Sequence, residues 1–279
     1  MSQGESAKRA RPHRRDPIDH ESRASLHPLT ADAHGTRGST MSSDPAIEPL
    51  VVAAHHVASP VPPARPGLEE ELEQIRAVTL TMGEAVVLAL DHAIQALVKQ
   101  DVALANEVIR NDARVNGLQS EARQACFRAL LTQQPVARDL REVLGFMHMA
   151  SELERMGDHA VNVARVARDV ADLAQVAAVA GIARLGRQAT AQVREILVAL
   201  VVHDVDQARA IAARDDRVNS IFRRTVDELI RFISENPENA YRGTKLIGVS
   251  QNLERVGDRV TNLAEDLVFL ETGETEELG

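Results

Sequence analysis

Beyond Leu68 the apolar positions of the chain recur every three or four residues, the spacing of one buried face of an α-helix. The last such stretch is the most regular. Leu246, Val249, Leu253, Val256, Val260, Leu263, Leu267 and Leu270 form a continuous seam like that of a coiled coil. No run alternates apolar and polar residues between turns, as a half-buried strand requires. The pattern predicts six long helices over residues 68–100, 101–132, 135 to about 173, about 179 to 203, 204–235 and 237 to about 272. Asp101 and Asp204 suit N-caps, and Pro135 and Pro237 suit first turns, where a missing N–H costs nothing.

The six helices fall into two groups of three. Ala96–Asn116 aligns with Ala199–Asn219 at a constant offset of 103, pairing Asp101 with Asp204, Asp112 with Asp215, and Arg114-Val115-Asn116 with Arg217-Val218-Asn219. Further on, LERMGDHAVNVA (Leu153–Ala164) returns as LERVGDRVTNLA (Leu253–Ala264) at an offset of 100. Such self-similarity marks one structural unit used twice, and short connections make consecutive helices antiparallel. The expected fold is all-α: two tandem antiparallel three-helix bundles, over residues 67–175 and 176–274, after a disordered N-terminal extension of residues 1–66.

Composition supports this division. Nine of the eleven prolines and six of the ten histidines lie in residues 1–67, which end in the stiff, extended SPVPPARPG. The basic KRARPHRR (Lys8–Arg15) reads as a solvated tail, and Met41 is a candidate alternative start. In the remainder, aromatic residues are so few (2% of the chain, with no Trp) that Ala, Val and Leu must fill the interior, which suits close-packed helices. The single Cys126 excludes a disulfide or a cysteine zinc site within one chain.

Charge narrows the partners. The net charge of −9 arises in residues 68–279, where 24 Lys/Arg face 34 Asp/Glu, while residues 1–67 carry 8 against 7. An acidic body with one Tyr is poorly suited to direct contact with nucleic acid. No uncharged apolar run approaches the roughly 18 residues of a membrane span, ILVALVV (Ile196–Val202) being typical of the longest, and no secretory h-region opens the chain. A cytoplasmic protein without membrane insertion is expected.

The repeated motif is locally costly. Glycine within a helix forfeits roughly 0.5–1 kcal/mol against alanine, and like charges four residues apart cost roughly 0.2–0.5 kcal/mol more. Yet both copies place a glycine between two acids: Glu154, Gly157, Asp158 and Glu254, Gly257, Asp258. The acids stack one turn apart beside the seam, and the glycine leaves room for an ion or for a close helix. The second helix of each half adds a polar pair, Asp112/Asn116 and Asp215/Asn219, which antiparallel packing can bring opposite. Oxygen ligands without cysteine suit Mg, Ca, Mn or Fe, and Zn less exclusively. The competing reading is an ion-pair network in which Arg155 and Arg255 reach Asp158 and Asp258. His148 and His159 read as ordinary partly buried or surface residues. No histidine has a glutamate three residues before it, which disfavours a ferritin-like di-iron centre. There is no His-Glu-x-x-His, phosphate-binding Walker loop or dinucleotide fingerprint either.

With these residues in view, Gln134–Ala164 and Asn252–Glu274, together with MGEAVVLALDHAIQAL and VIRNDARVN, resemble the PhoU family over residues 68–274. The resemblance implies tandem three-helix bundles carrying metal clusters, typically of iron or zinc, on (Glu/Asp)-x-x-x-Asp motifs. Those motifs are Glu154 and Asp158, and Glu254 and Asp258, with Asp112 and Asp215 as partners. Asn116 and Asn219 stand where a second acid can sit, which weakens them as ligands. It also implies a non-enzymatic negative regulator, homodimeric by expectation, that links the ATPase of a phosphate ABC transporter to a sensor histidine kinase. The alternatives are an accessory regulator of another transporter or signalling protein, and a carboxylate-metal hydrolase.

Overall fold

The computed structural model describes residues 65–174 and 176–279, which belong to one compact unit. The extension expected over residues 1–66 lies, but for its last two residues, outside the described residues. The first bundle comprises α1 (Pro66–Lys99), α2 (Val102–Gln133) and α3 (Ala137–Asp169). The second comprises α4 (Val179–Val202), α5 (Val205–Ala212), α6 (Asp215–Glu235) and α7 (Ala240–Thr272). Within each bundle the helices pack on one another, and the bundles meet through α3 against α7 and α1 against α4.

The helix starts follow from local chemistry. The Leu104 N–H donates to Asp101 Oδ1 at 2.9 Å and the Gln207 N–H to Asp204 Oδ1 at 2.8 Å, so both aspartates cap as expected. Each follows a left-handed residue, Gln100 (φ 57°) and His203 (φ 55°), that ends the preceding helix. Gln100 steadies its turn by donating to the carbonyls of Ala171 and Leu173 at 2.8 and 2.6 Å.

Three expectations need correction. The helix expected over 204–235 is broken at Ala213–Arg214 into α5 and α6. Arg214 there pairs with Glu195 of α4, and Asp215 and Asp216 occupy the first turn of the new helix, where acids are favoured. Pro135 precedes α3 by two residues instead of opening it, and Pro237 starts a short 3-10 turn (Pro237–Asn239) ahead of α7. Finally, α1 is long and apolar enough by length and composition to cross a membrane. In this fold its Leu72, Ile75, Met82, Val86, Leu90 and Leu97 are core residues.

All eight seam positions of α7 are buried, as are Leu153, Met156 and Ala160 of α3. The two bundles lock together through mates at the offset of 103. A Cβ at Gly83 of α1 would stand 2.6 Å from Leu197 Cδ2 of α4, and one at Gly186 of α4 would overlap Ile94 Cδ1 of α1. Each glycine thus receives a branched side chain from the opposite bundle.

This interlock gives a stability prediction. Gly186→Val should destabilise the protein by about 1–3 kcal/mol, because the well-packed core around Ile94 must shift to admit it. Gly117→Ala, on an open face of α2 where a Cβ meets nothing within 4 Å, should stabilise it by about 0.4–1 kcal/mol. Chemical denaturation of both variants checks the pair.

Candidate metal centre

The glycine of the repeated motif is explained first by packing. A Cβ at Gly157 would stand 3.1 Å from Val115 Cγ1 of α2, and one at Gly257 would stand 3.2 Å from Val218 Cγ1 of α6. The valine of each Arg-Val-Asn triplet therefore sits over the glycine of its own bundle. The space is taken by a close helix. In the second bundle a carboxylate shares it, since Asp215 Oδ1 lies at the same 3.2 Å from a Cβ at Gly257.

With the valines seated, the acids of α2 and α6 lie in the field of those on α3 and α7. The carboxyl of Glu154 is raised above its ordinary value, first by burial and then by Asp158 and Asp112. Glu254 is raised in the same way, by burial and then by Asp258 and Asp215. Asp215 itself is raised by burial and by Asp258, while the amide of Asn219 opposes the shift. Glu154, Glu254, Asp112 and Asp215 are half-buried, and Asp158 and Asp258 are exposed. A cleft of about 90 Å³ beside Asp112 is also lined by His92, Val115 and Gly157.

Asn116 Nδ2 donates to Asp112 Oδ2 at 3.1 Å, and Asn219 Nδ2 to Asp215 Oδ2 at 2.6 Å. The asparagines thus steer the aspartates. The other oxygen of Asp215, Oδ1, is buried and accepts no hydrogen bond. Among the described residues no three His, Cys, Asp or Glu side chains are drawn together as a finished ligand set. The ion-pair alternative fares no better. Arg155 Nε approaches Glu152 Oε1 at 3.8 Å, and among the described residues no ion pair joins Arg155 to Asp158 or Arg255 to Asp258.

A second polar cluster was not anticipated. Glu152 is only 4% exposed, and its Oε2 accepts from Asn262 Nδ2 at 2.8 Å and from Arg259 Nη1 at 3.2 Å across the α3–α7 contact. Its mate at the offset of 100, Asn252, uses Oδ1 to accept from Asn162 Nδ2 at 3.2 Å and to meet His159 Nδ1 at 3.0 Å. The bundles therefore clasp through two equivalent positions of the motif. The recurrence of asparagine at 162 and 262 was the available signal. His148, whose Nδ1 lies 2.8 Å from both oxygens of Asp266, adds a polar contact at one end whose mates, Gly248 and Val166, cannot repeat it at the other. Burial lowers the His159 imidazole below its ordinary range, and Arg259 and Arg255 add to the effect.

Comparison with known proteins agrees with the two-bundle division. The PhoU domain family matches residues 79–167 and again 182–267. The phosphate-specific transport system accessory protein PhoU homolog of Clostridium acetobutylicum is 32% identical over 211 residues, covering 75% of this chain and 96% of that protein. Its namesake in Aquifex aeolicus is 32% identical over 207 residues, 74% of this chain and 94% of that protein. The crystal structure of PhoU from Pseudomonas aeruginosa superposes with a TM-score of 0.72 at 31% identity, covering 74% of this chain and all of that one. That of the phosphate transport system regulatory protein PhoU from Streptococcus pneumoniae gives 0.70 at 29% identity, with 76% of this chain and all of that one covered.

The α3–α7 cluster carries a pH signature. Burial pushes the Asp266 carboxyl up from 3.8 to about 6, against the pull of His148. A raised acid favours the folded state below its unfolded pKa, and that contribution is lost as pH rises through the folded value. Asp266 should therefore cost about 3 kcal/mol of stability between about pH 4 and pH 6. Denaturation midpoints measured across that window should show the loss, and Asp266→Asn should flatten it.

Proposed function

The chain belongs to the PhoU family, and we propose that it is an accessory regulator of phosphate-specific transport that acts by binding, not catalysis. The observation that carries the reading is that both motif copies, with the second-helix residues that face them, fall inside the two family matches. The relatives' names tie the family to the phosphate-specific transport system. We take the partners to be the ATPase subunit of a phosphate ABC transporter and a sensor histidine kinase, with the protein cytoplasmic and restraining the starvation response when phosphate is plentiful.

Binding surfaces support a regulator. On neighbouring α1 and α4, Leu88 (49% exposed), Val198 (54%) and Val201 (57%) line one shared groove. Such a face suits a second copy of the chain or another protein partner. A nucleophile, by contrast, finds no support at Cys126, which is buried with its thiol pushed up to about 11.

We further propose that each half holds metal. Glu154, Asp158 and Asp112 would bind in the first half and Glu254, Asp258 and Asp215 in the second, with Asn116 and Asn219 orienting the aspartates. The donors fit a cation: only oxygens are offered, the carboxylates repel one another, and Asp215 Oδ1 is buried without a donor. Iron or zinc is what the family resemblance implies, and magnesium or manganese suits an all-oxygen set as well. The ion, when bound, supplies the positive charge that the bare carboxylates lack.

Two experiments decide between these readings and their rivals. Deleting the gene should raise phosphate-scavenging genes in phosphate-rich medium, and only while the sensor kinase is present. Unchanged expression would point to another transporter or signalling system. Replacing Glu154 and Glu254 with Gln and Asp158 and Asp258 with Asn should strip most iron or zinc from the purified protein while leaving its helicity intact, because the seam is untouched. Equal metal content in variant and wild type would remove the site.

A further inference from the structure

The α3–α7 contact has two ends, related by the offset of 100, and their chemistry differs. At one end His148 and Asp266 pair across the helices beside buried Glu152. At the other, the mates of that pair are Gly248 and Val166, and a groove of about 680 Å³ opens between the helices. Charge is exchanged as well. Glu265 and Gly145 at the filled end correspond to Arg165 and Lys245 in the groove. These four mate positions remove a filling pair and supply two cations in a chain of net charge −9, while Asp169 and Tyr241 of the groove stand where their mates are Phe269 and Arg141.

The groove is built, with a fixed floor and a free cation. Asn162 donates to Asn252 at 3.2 Å, and Asn252 Nδ2 donates to the Gly248 carbonyl at 2.7 Å. Arg165 is exposed, hydrogen-bonds only the side chain of Asn162 at 3.2 Å, and joins no carboxylate among the described residues. Lys245 lies 5.6 Å from the centre of the Tyr241 ring and 3.1 Å from Asp169, itself 3.8 Å from Arg168. Arg165 and Lys245 against the single Asp169 leave the lining net positive. The Tyr241 ring and Val166 supply apolar wall, and the volume is in the range of metabolite-sized sites, far larger than one inorganic ion needs.

We propose that this groove binds a small organic anion, with its phosphate or carboxylate group on Arg165 and Lys245 and its apolar body along Tyr241 and Val166. A guanidinium fork and an ammonium recognise either oxyanion, and a planar body gives the ring a partner. The site is separate from the acidic centres and does not depend on their holding metal.

Calorimetric titration of the full chain with AMP (a phosphate on a planar body), benzoate (a carboxylate on one) and uncharged adenosine tests it and separates the two oxyanion sources. At least one anion should bind in the roughly millimolar range or better, and about tenfold or more tighter than adenosine. Arg165→Gln with Lys245→Gln should weaken that binding by about tenfold or more. Gly248→His with Val166→Asp rebuilds the filled end and should abolish it. A Cβ at Gly248 meets nothing within 4 Å, so the backbone tolerates the change, and unaltered helicity checks the fold. If neither anion outbinds adenosine, or if binding survives both double variants, the site is wrong.

Discussion

Close helix approach is the constraint on which the rest of this protein depends. With aromatic residues at 2% of the chain, alanine, valine and leucine must fill the interior, and they can do so only where backbones come near. Glycine sets that distance at the critical contacts. Gly83 and Gly186 receive Leu197 and Ile94 between the bundles, while Gly157 and Gly257 receive Val115 and Val218 within them. Each contact is a branched side chain seated where a Cβ is missing. The helix propensity lost at glycine is offset by packing that no larger residue permits.

The same seating places the charges. Val115 and Val218 cannot sit over their glycines without bringing Asp112 and Asp215, three residues earlier on the same helices, toward the acids of α3 and α7. The carboxylates are held near one another by an apolar lock, and burial first, then the like charge beside them, raises the carboxyls of Glu154, Glu254 and Asp215. A site assembled in this way stays in place without countercharge, at the cost of repulsion that the proposed cation would offset. The motif glycine is thus accounted for by packing, and the acids beside it are where the proposed metal would sit.

Much of this was legible in the chain. The seam of α7, the aspartate caps and the internal repeat depend on local spacing, and each appears in the fold. The acid motif was visible as well, because two copies of a costly pattern stand out. What stayed hidden depends on contacts far apart in sequence. The register of Val115 over Gly157 is fixed by helix packing, so the second-helix pair could be placed only by alternatives. The break between α5 and α6 carries no glycine or proline, and the Arg214–Glu195 pair that accompanies it joins residues of different helices. Glu152, within SELER, carries no local mark of burial, which comes from the contacts of Arg259 and Asn262 on α7.

Within an internal repeat, agreement and difference between mates carry different information. Where mates agree, as at Gly157 and Gly257 or Asn162 and Asn262, both halves meet the same packing demand, and the shared residue is explained by structure. Where they differ, packing cannot be the whole cause, since one backbone arrangement accepts two chemistries. Glu152 and Asn252 make the same cross-bundle contact, yet one buries a charge and the other half-buries a neutral amide. The buried charge requires Arg259 beside it, and its mate needs only the neutral-leaning His159. One end of the α3–α7 contact is thereby filled by Glu152 with Arg259 and Asn262 and by His148 with Asp266. The other end is joined more sparsely, by Lys245 with Asp169 and by Asn162 with Asn252, and the polar groove with Arg165 at its side opens there.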